Sequence, residues 1–314
     1  MCQGVITCGP SESKILDQRP ARPLAPVADS RRLVARKSIL MAVFAAEIPG
    51  GTKMTEKVAT RLVWGPAHQD ICGLLEDSPT DVPAVVDRLS QLQECLDQLP
   101  PLLGSNPLAD FNKLYRTITA SVLDRLNTNR FRDPDFLALL DVEFAKRYFD
   151  ALRFWSTTSH ECPRVWSVIF KRIDGPDVRA LPSAVAGVNA HINFDLPFAL
   201  ISTFEQLNLA PVDDSNQHHD YLQVNDIFAH AIPDLRRSYL DKIQLLIDTM
   251  NGDLDDWWQG EMVEYTRNVA WRNAQKLWGI RHDPVGVARE RDRLDEFSSL
   301  IGRLLLSPLG TFLQ

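Results

Sequence analysis

Apolar residues recur at intervals of three and four along most of the chain after Trp64, which is the pattern of amphipathic helices. One apolar stripe runs through residues 82–99, a second through 111–126 and a third through 136–152. The third follows an Asp-Pro pair, which is typical of a helix N-terminus. The pattern therefore predicts three long helices in this half of the chain.

Helical patterns continue toward the C-terminus around 163–172, 215–230, 233–250, 258–269 and 294–304. Between them there is neither a pair of alternating strands nor an Asn-Gly hairpin signal. The fold class predicted is all-α. We expect one compact bundle of nine or ten helices that forms a single domain over residues 64–308.

Residues 1–60 differ from this domain because Pro, Ser and Arg are frequent and no helical stripe persists. This composition predicts a disordered N-terminal extension. Arg31 and Arg32, followed by a short apolar run, loosely resemble a twin-arginine export signal. The alternative is that the protein starts later, at Met41 or Met54, and the sequence leaves both interpretations open.

Composition narrows the class of function. The 314 residues carry a net charge of -7, and the basic residues are scattered, which argues against binding to nucleic acids or anionic membranes. The five cysteines are an odd number without a CxxC pair, so we expect neither a disulfide framework nor a cysteine-rich zinc site. We expect a soluble, cytoplasmic protein without a membrane span, whose partner is a small molecule.

The segment 181–202 contains no Lys, Arg or Glu, yet it carries four polar residues near its centre. On a helical wheel His191 and Asp195 lie one turn apart on one flank of the apolar stripe, and Asn189 and Asn193 share the other flank. A strand is the less favoured alternative, since the run is long and rich in Ala. Burying such groups costs several kcal/mol unless they are satisfied, so this helix is predicted to carry the functional centre.

A proline interrupts this predicted helix. Pro197 removes one backbone hydrogen bond and clashes with the carbonyl group of Asn193, which predicts a kink near Asn193. The alternative is that Pro197 ends one helix and starts another.

A second polar cluster follows in residues 213–226. There Asp220 shares a helix face with apolar residues, so it is predicted to point inward. His191, Asp195, His219 and Asp220 are the predicted ligands of a divalent metal such as zinc, iron or manganese. Their spacing matches no standard metal motif, so two alternatives stay open: His191, Asp195 and Asp220 act directly as catalytic acid and base, or they form a satisfied structural network.

Aromatic residues crowd a third region, where Trp257, Trp258, Trp271 and Trp278 are interleaved with Arg267. This pattern predicts an apolar ligand pocket in which Arg267 holds a carboxylate or a buried Asp. Core packing is the alternative. The predicted substrate-binding residues are Asn189, Asn193, Asn225, Arg267 and Trp271. Asp141 and Glu143 are candidates to complete a set of carboxylates around the site.

Five segments resemble the motif series of a mainly actinobacterial family known only as a domain of unknown function, family 5995. They are FNKLY (111–115), FLALLDVEFAKRYFDAL (136–152), AGVNAHINFDLPFAL (186–200), DYLQVN (220–225) and RNVAWRNAQKLW (267–278). The resemblance covers roughly residues 64–308. It implies that the four central polar residues belong to the family signature, and it supplies no reaction.

Two classes of function follow from the sequence. In the first, the chain is an enzyme that acts on a small, partly apolar substrate by metal-assisted hydrolysis or by acid/base chemistry. In the second, it is a helical ligand-binding or scaffold protein whose buried polar cluster is structural. The sequence has neither a GxSxG elbow nor a phosphate-binding glycine loop, which argues against serine esterase and P-loop chemistry.

Overall fold

The computed structural model describes residues 64–99, 106–158, 160–172, 180–239 and 261–307. All of them fall within one compact unit, Thr60–Gln314. The predictions for residues 1–60, including the extension and the export-like segment, lie outside the described residues. The same holds for Trp257 and Trp258.

The described residues form nine helices and no strand, which confirms the all-α prediction. The helices are α1 His68–Leu74, α2 Val82–Asp97, α3 Pro107–Asn127, α4 Pro134–Thr157, α5 Arg164–Phe170, α6 Ala180–Gln206, α7 Asn216–Tyr239, α8 Glu261–Ile280 and α9 Pro284–Leu305. A short 3-10 turn, Gly65–Ala67, precedes α1.

The helix starts follow from local chemistry. The side chains of Asp81, Asn106, Asp133 and Asp283 accept a hydrogen bond from a backbone N–H of the turn that follows, at the starts of α2, α3, α4 and α9. Each of these helices also has a proline in its first turn, where the missing N–H group is not needed. Such a cap contributes about 1 kcal/mol to stability.

Helix α6 is the centre of the domain. It packs against α3, α4, α5, α8 and α9, so its side chains reach both of the apolar clusters that form the core. Residues Pro182–Gln206 are long and apolar enough to cross a membrane by length and composition, with a mean hydropathy of 1.2. However, 83% of that stretch is buried inside the protein, which is the pattern of a core helix.

Helices α3 and α6 approach each other closely at Gly187. A Cβ atom at this position would overlap the ring of Phe111, so only glycine fits between the two helices with Phe111 in place. The contact brings α6 directly against α3, the helix that carries Phe111 and Tyr115.

Candidate functional site

Helix α6 contains an irregular turn at the position where the sequence predicts a kink. Residues His191–Asp195 form a π-helical turn, in which the N–H of Leu196 donates to the carbonyl oxygen of His191. Pro197 follows in the first turn of the next α-helical segment, where its missing N–H group costs little. The helix therefore continues through the proline with one widened turn, a feature found frequently at functional sites.

The π turn carries a buried histidine-carboxylate pair. His191 and Asp195 are each 3% exposed, and His191 Nδ1 lies 2.9 Å from Asp195 Oδ2. The same oxygen accepts a hydrogen bond of 2.9 Å from the indole Nε1 of Trp166. Burial lowers the pKa of His191, with Asp195 acting in the opposite direction. The neutral imidazole thus carries its hydrogen on Nδ1, toward Asp195, and has a free electron pair on Nε2.

Aromatic side chains fix the plane of this imidazole. Phe144 of α4 stacks on His191 with ring centroids 3.4 Å apart and planes inclined by 8°. Tyr115 of α3 meets the same ring edge-on at 4.5 Å. Because three helices hold the ring and Asp195 holds Nδ1, the direction of Nε2 is set by the fold.

A cavity of about 60 Å³ lies beside His191. Its wall is mostly apolar and comes from α3, α4, α6, α7 and α8. The polar residues that line it are Tyr115, Thr119, Asp141, His191 and Arg267. The volume is enough for a few water molecules or one small ligand.

Four buried polar atoms at this cavity have no hydrogen-bond partner in the part of the chain that the structure describes. They are Tyr115 Oη, Thr119 Oγ1, Asp141 Oδ2 and His191 Nε2. A buried polar atom without a partner costs about 1–3 kcal/mol, and native proteins have only a few of them. The hydroxyls of Tyr115 and Thr119 lie close enough to interact with each other, so Asp141 and His191 are the clearest candidates to contact a ligand or solvent molecule.

Two of these groups have strongly shifted acidities. Burial raises the pKa of Asp141 to about 7. Burial also raises the pKa of the Tyr115 phenol well above its ordinary value, and the Asp141 carboxylate adds to that shift. At neutral pH the cavity thus contains a phenol, a carboxyl group that is about half protonated, and an unprotonated imidazole nitrogen.

Arg267 lines the cavity from α8. It is 4% exposed, and its guanidinium stacks over the Tyr221 ring at 4.1 Å from the ring centroid. Its Nε donates to Asn225 Oδ1 at 2.7 Å, and Nη2 donates to the carbonyl oxygen of Tyr221 at 2.6 Å. The predicted substrate residues Arg267 and Asn225 are thus brought together, with Asn225 orienting the guanidinium.

The predicted metal-ligand set is not assembled in one place. Asp220 is fully buried, as predicted, but it does not line the cavity: its Oδ1 and Oδ2 accept from the backbone N–H groups of Arg132 and Asp133 at 2.9 and 2.5 Å. His219 is 36% exposed and lies 3.5 Å from Asp220. Among the described residues no three His, Cys, Asp or Glu side chains are grouped closely enough to hold a metal ion.

The remaining predicted residues have contacts of a different kind. Asn193 donates to Asn189 Oδ1 at 3.0 Å, and Asn189 donates to the carbonyl oxygen of Ser298 at 2.9 Å, so this flank ties α6 to α9. Trp271 is buried outside the cavity lining and donates to Asp213 at 2.8 Å. Glu143, a candidate for the carboxylate set, accepts from Gln206 at the surface instead.

Tyr115 and Thr119 were not predicted as site residues. Both lie on the buried side of α3, where Tyr115 reads as one more member of the apolar stripe. The sequence feature that could have identified them is a pair of hydroxyl groups one turn apart on a buried helix face. Asp141 was predicted only as an optional carboxylate, and the structure places it in the cavity wall.

One family model matches residues 82–308 of the chain, and it is described as a family of unknown function (DUF5995). No curated protein and no solved structure matches the chain.

Proposed function

We propose that this chain, a member of the family of unknown function DUF5995, catalyses proton transfer next to the carbonyl group of a small molecule bound in the cavity. The observation that carries the proposal is that one mostly apolar cavity is lined by His191 and Asp141, each with a buried atom that has no partner among the described residues, and by the hydroxyl side chains of Tyr115 and Thr119. The grouping supplies a base and two hydrogen-bond donors at the same cavity.

His191 is the proposed base. Its Nε2 has a free electron pair and no protein partner among the described residues, so it is available to a bound molecule. When Nε2 takes up a proton, the imidazole becomes a cation. The carboxylate of Asp195 at 2.9 Å stabilises that cation and holds the ring in the required tautomer.

Asp141 and Tyr115 are the proposed donors to the substrate oxygen. With a pKa of about 7, Asp141 keeps its proton in about half of the molecules at neutral pH. A neutral carboxylic acid beside a phenol forms an oxyanion site in an apolar pocket, and such donors stabilise the negative charge that develops on an enolising carbonyl oxygen.

The proposed step needs no reactant other than the substrate and the side chains of His191 and Asp141. His191 Nε2 removes a proton from the carbon next to the carbonyl, the C–H electron pair forms a C=C bond, and the carbonyl π pair moves to the oxygen. Asp141 transfers its proton to that oxygen, which gives an enol. Return of a proton to carbon and of the hydroxyl proton to Asp141 restores both side chains.

The alternative is a protein that binds a small ligand without chemistry. Both functions account for the unpartnered atoms, but only catalysis uses an unprotonated imidazole and a protonated carboxyl group at the same cavity. His219 and Asp220 have no part in the proposed step, since neither lines the cavity.

Hydrogen exchange in D2O tests the proposal. The probes are acetone, 2-butanone, pyruvate and 2-oxobutyrate, and proton NMR measures the loss of hydrogen from the carbon next to each carbonyl. We expect at least one probe to exchange at least about 100-fold faster with the protein than in buffer, since general base catalysis contributes a factor of that order.

Variants test whether the hydrogen exchange takes place at the cavity. His191→Gln is expected to remove the exchange, whereas His218→Gln is the matched control, because His218 stacks on Trp271 and does not line the cavity. Tyr115→Phe, which changes one hydroxyl only, is expected to lower the rate about 10-fold or more and covers the case in which His191→Gln does not fold. Binding of a probe without exchange, or no exchange with any of the four, overturns the catalytic proposal.

A further inference from the structure

Arg267 is a buried cation at the cavity, and no carboxylate of the described part of the chain pairs with it. Its two hydrogen bonds go to neutral acceptors, the amide oxygen of Asn225 and the backbone carbonyl of Tyr221. The third guanidinium nitrogen, Nη1, has no acceptor among the described residues. Asp220, next to Tyr221 in the chain, uses both of its oxygens on the backbone of residues 132 and 133.

An uncompensated buried guanidinium is costly, because the charge leaves water without gaining an opposite charge. Stacking on the rings of Tyr221 and Phe228, at 4.1 and 5.9 Å, offsets only part of that cost. The side chain is held by two hydrogen bonds and lines the cavity, so its free nitrogen is a preorganised donor for an anion.

We propose that the substrate is a short-chain monocarboxylic acid that bears a carbonyl group, with its carboxylate bound by Arg267. This inference rests on the proposed function, which places the carbonyl oxygen at Asp141 and Tyr115 and the acidic carbon at His191. A single carboxylate neutralises the charge of the one guanidinium at the cavity, and the carbon chain of the acid packs against the apolar wall.

The cavity limits both the size and the charge of this acid. Its volume of about 60 Å³ is less than half of the roughly 150 Å³ cavity that accepts benzene, which favours a short carbon chain over an aromatic acid. Arg267 is the one Lys or Arg among the described residues that line the cavity. A second carboxylate would therefore find no Lys or Arg among the described lining residues, which argues against dicarboxylic acids.

Matched probes separate the charge from the carbonyl chemistry. Pyruvate and acetone share the exchanging methyl ketone, and only pyruvate carries the carboxylate. The kcat/KM for exchange of each probe is divided by its own exchange rate in buffer, because the two ketones differ in the acidity of their methyl hydrogens. We expect this normalised value to be at least about 30-fold higher for pyruvate, and Arg267→Gln to reduce the ratio to near one, since hydrogen bonds between charged groups are among the strong ones. Arg267→Lys keeps the charge without the planar fork, so it should keep part of the preference.

Arg125→Gln is the control variant. Like Arg267, Arg125 donates a hydrogen bond to a backbone carbonyl of α7, in this case that of Gln223, but it does not line the cavity. It is expected to keep the preference for pyruvate. An equal fall of both rates in Arg267→Gln would show a structural role, and a wild-type ratio near one would also overturn the inference.

Binding measurements distinguish this inference from the proposed function. Titration calorimetry compares propionate with the uncharged propionamide, neither of which needs to react. Tighter binding of propionate that is lost in Arg267→Gln supports the carboxylate site even where no exchange is found. Equal affinities overturn it even where exchange occurs, and the wild-type comparison alone decides this if the variants do not fold.

Discussion

Two regions of the domain contain buried Asp side chains together with His side chains, and the hydrogen bonds of these side chains differ between the regions. At the start of α4, Asp220 accepts two backbone N–H groups, one with each oxygen, and the neighbouring His219 is partly exposed. At the cavity, Asp141 Oδ2 and His191 Nε2 are as deeply buried and have no partner among the described residues. Burial alone therefore does not identify a candidate functional group. Lack of a partner is informative only where several such atoms belong to one cavity, because in the described part of the chain His68, Trp155 and Ser298 also bury polar atoms without a partner away from it.

The same contrast appears between side chains of one type. The buried hydroxyl of Tyr221 donates to the carbonyl oxygen of Arg267 at 2.7 Å, and Thr203 donates to that of Ala199 at 2.9 Å. Tyr115 and Thr119 are also buried and line the cavity, but their hydroxyls interact with each other and bond to no backbone carbonyl of the described residues. A protein that keeps such groups gives up stability, which is common at sites selected for function.

Removing the paired carboxylate should have the largest effect. Asp220→Ala removes two hydrogen bonds between backbone N–H groups and a buried carboxylate, so the free energy of unfolding should fall by about 4 kcal/mol, at about 2 kcal/mol for each bond to a charged acceptor. Denaturant unfolding measures the loss, with His219→Ala as a control that should change it by less than about 0.5 kcal/mol. If Asp220→Ala were as stable as the wild type but lost hydrogen exchange, Asp220 would belong to the chemistry after all.

The unpaired carboxyl group should make stability depend on pH. Asp141 ionises near its ordinary pKa of 3.8 in the unfolded chain and at about 7 in the folded one. Between these values the folded state holds the extra proton, so its stability falls as the pH rises and levels off above about 7. Asp141→Asn does not undergo this pH-dependent loss, so its stability relative to the wild type should rise by about 4 kcal/mol across the window, at about 1.4 kcal/mol for each pKa unit.

Denaturant unfolding of both proteins at several pH values between 4 and 8 measures the difference. The titration of every other group is common to both proteins, so it largely cancels in the comparison. A difference that stays constant with pH would mean that Asp141 keeps its charge in the folded state, through a partner or through bound water. That result would remove the proposed acid.

The smallest expected effect distinguishes the two threonines. Thr119→Val replaces a buried hydroxyl that has no backbone acceptor among the described residues by a methyl group, and should raise the free energy of unfolding by up to about 1 kcal/mol. Thr203→Val removes a hydroxyl that is already bonded to its own helix, so it should leave stability unchanged or lower it slightly. Thermal and denaturant unfolding compare the pair, and a loss in both variants would show that Thr119 has a partner.

Much of the fold was predictable because it depends on local periodicity. The apolar stripes of α2, α3 and α4 and the caps in front of them are encoded within a few residues of each other. The pairing of His191 with Asp195, and of Asn189 with Asn193, follows from four-residue spacing on a helix and is confirmed.

The composition of the site was less predictable because it depends on contacts between distant helices. Asp220 was correctly predicted to point inward, but its acceptor role depends on residues 88 positions earlier in the chain. Tyr115 is indistinguishable in sequence from a core aromatic residue until α4 and α6 place Asp141 and His191 around the same space. The π turn follows from Pro197 only once the helix on both sides is known to be continuous.

The tight contact between Gly187 and the ring of Phe111 couples two positions that are 76 residues apart in the chain. Any larger residue at 187 requires a smaller one at 111, or a shift of α3 that would carry Tyr115 away from His191. In divergent sequences the two positions should therefore change together, and the shape of the cavity beside His191 should vary with that pair even where every polar group is retained.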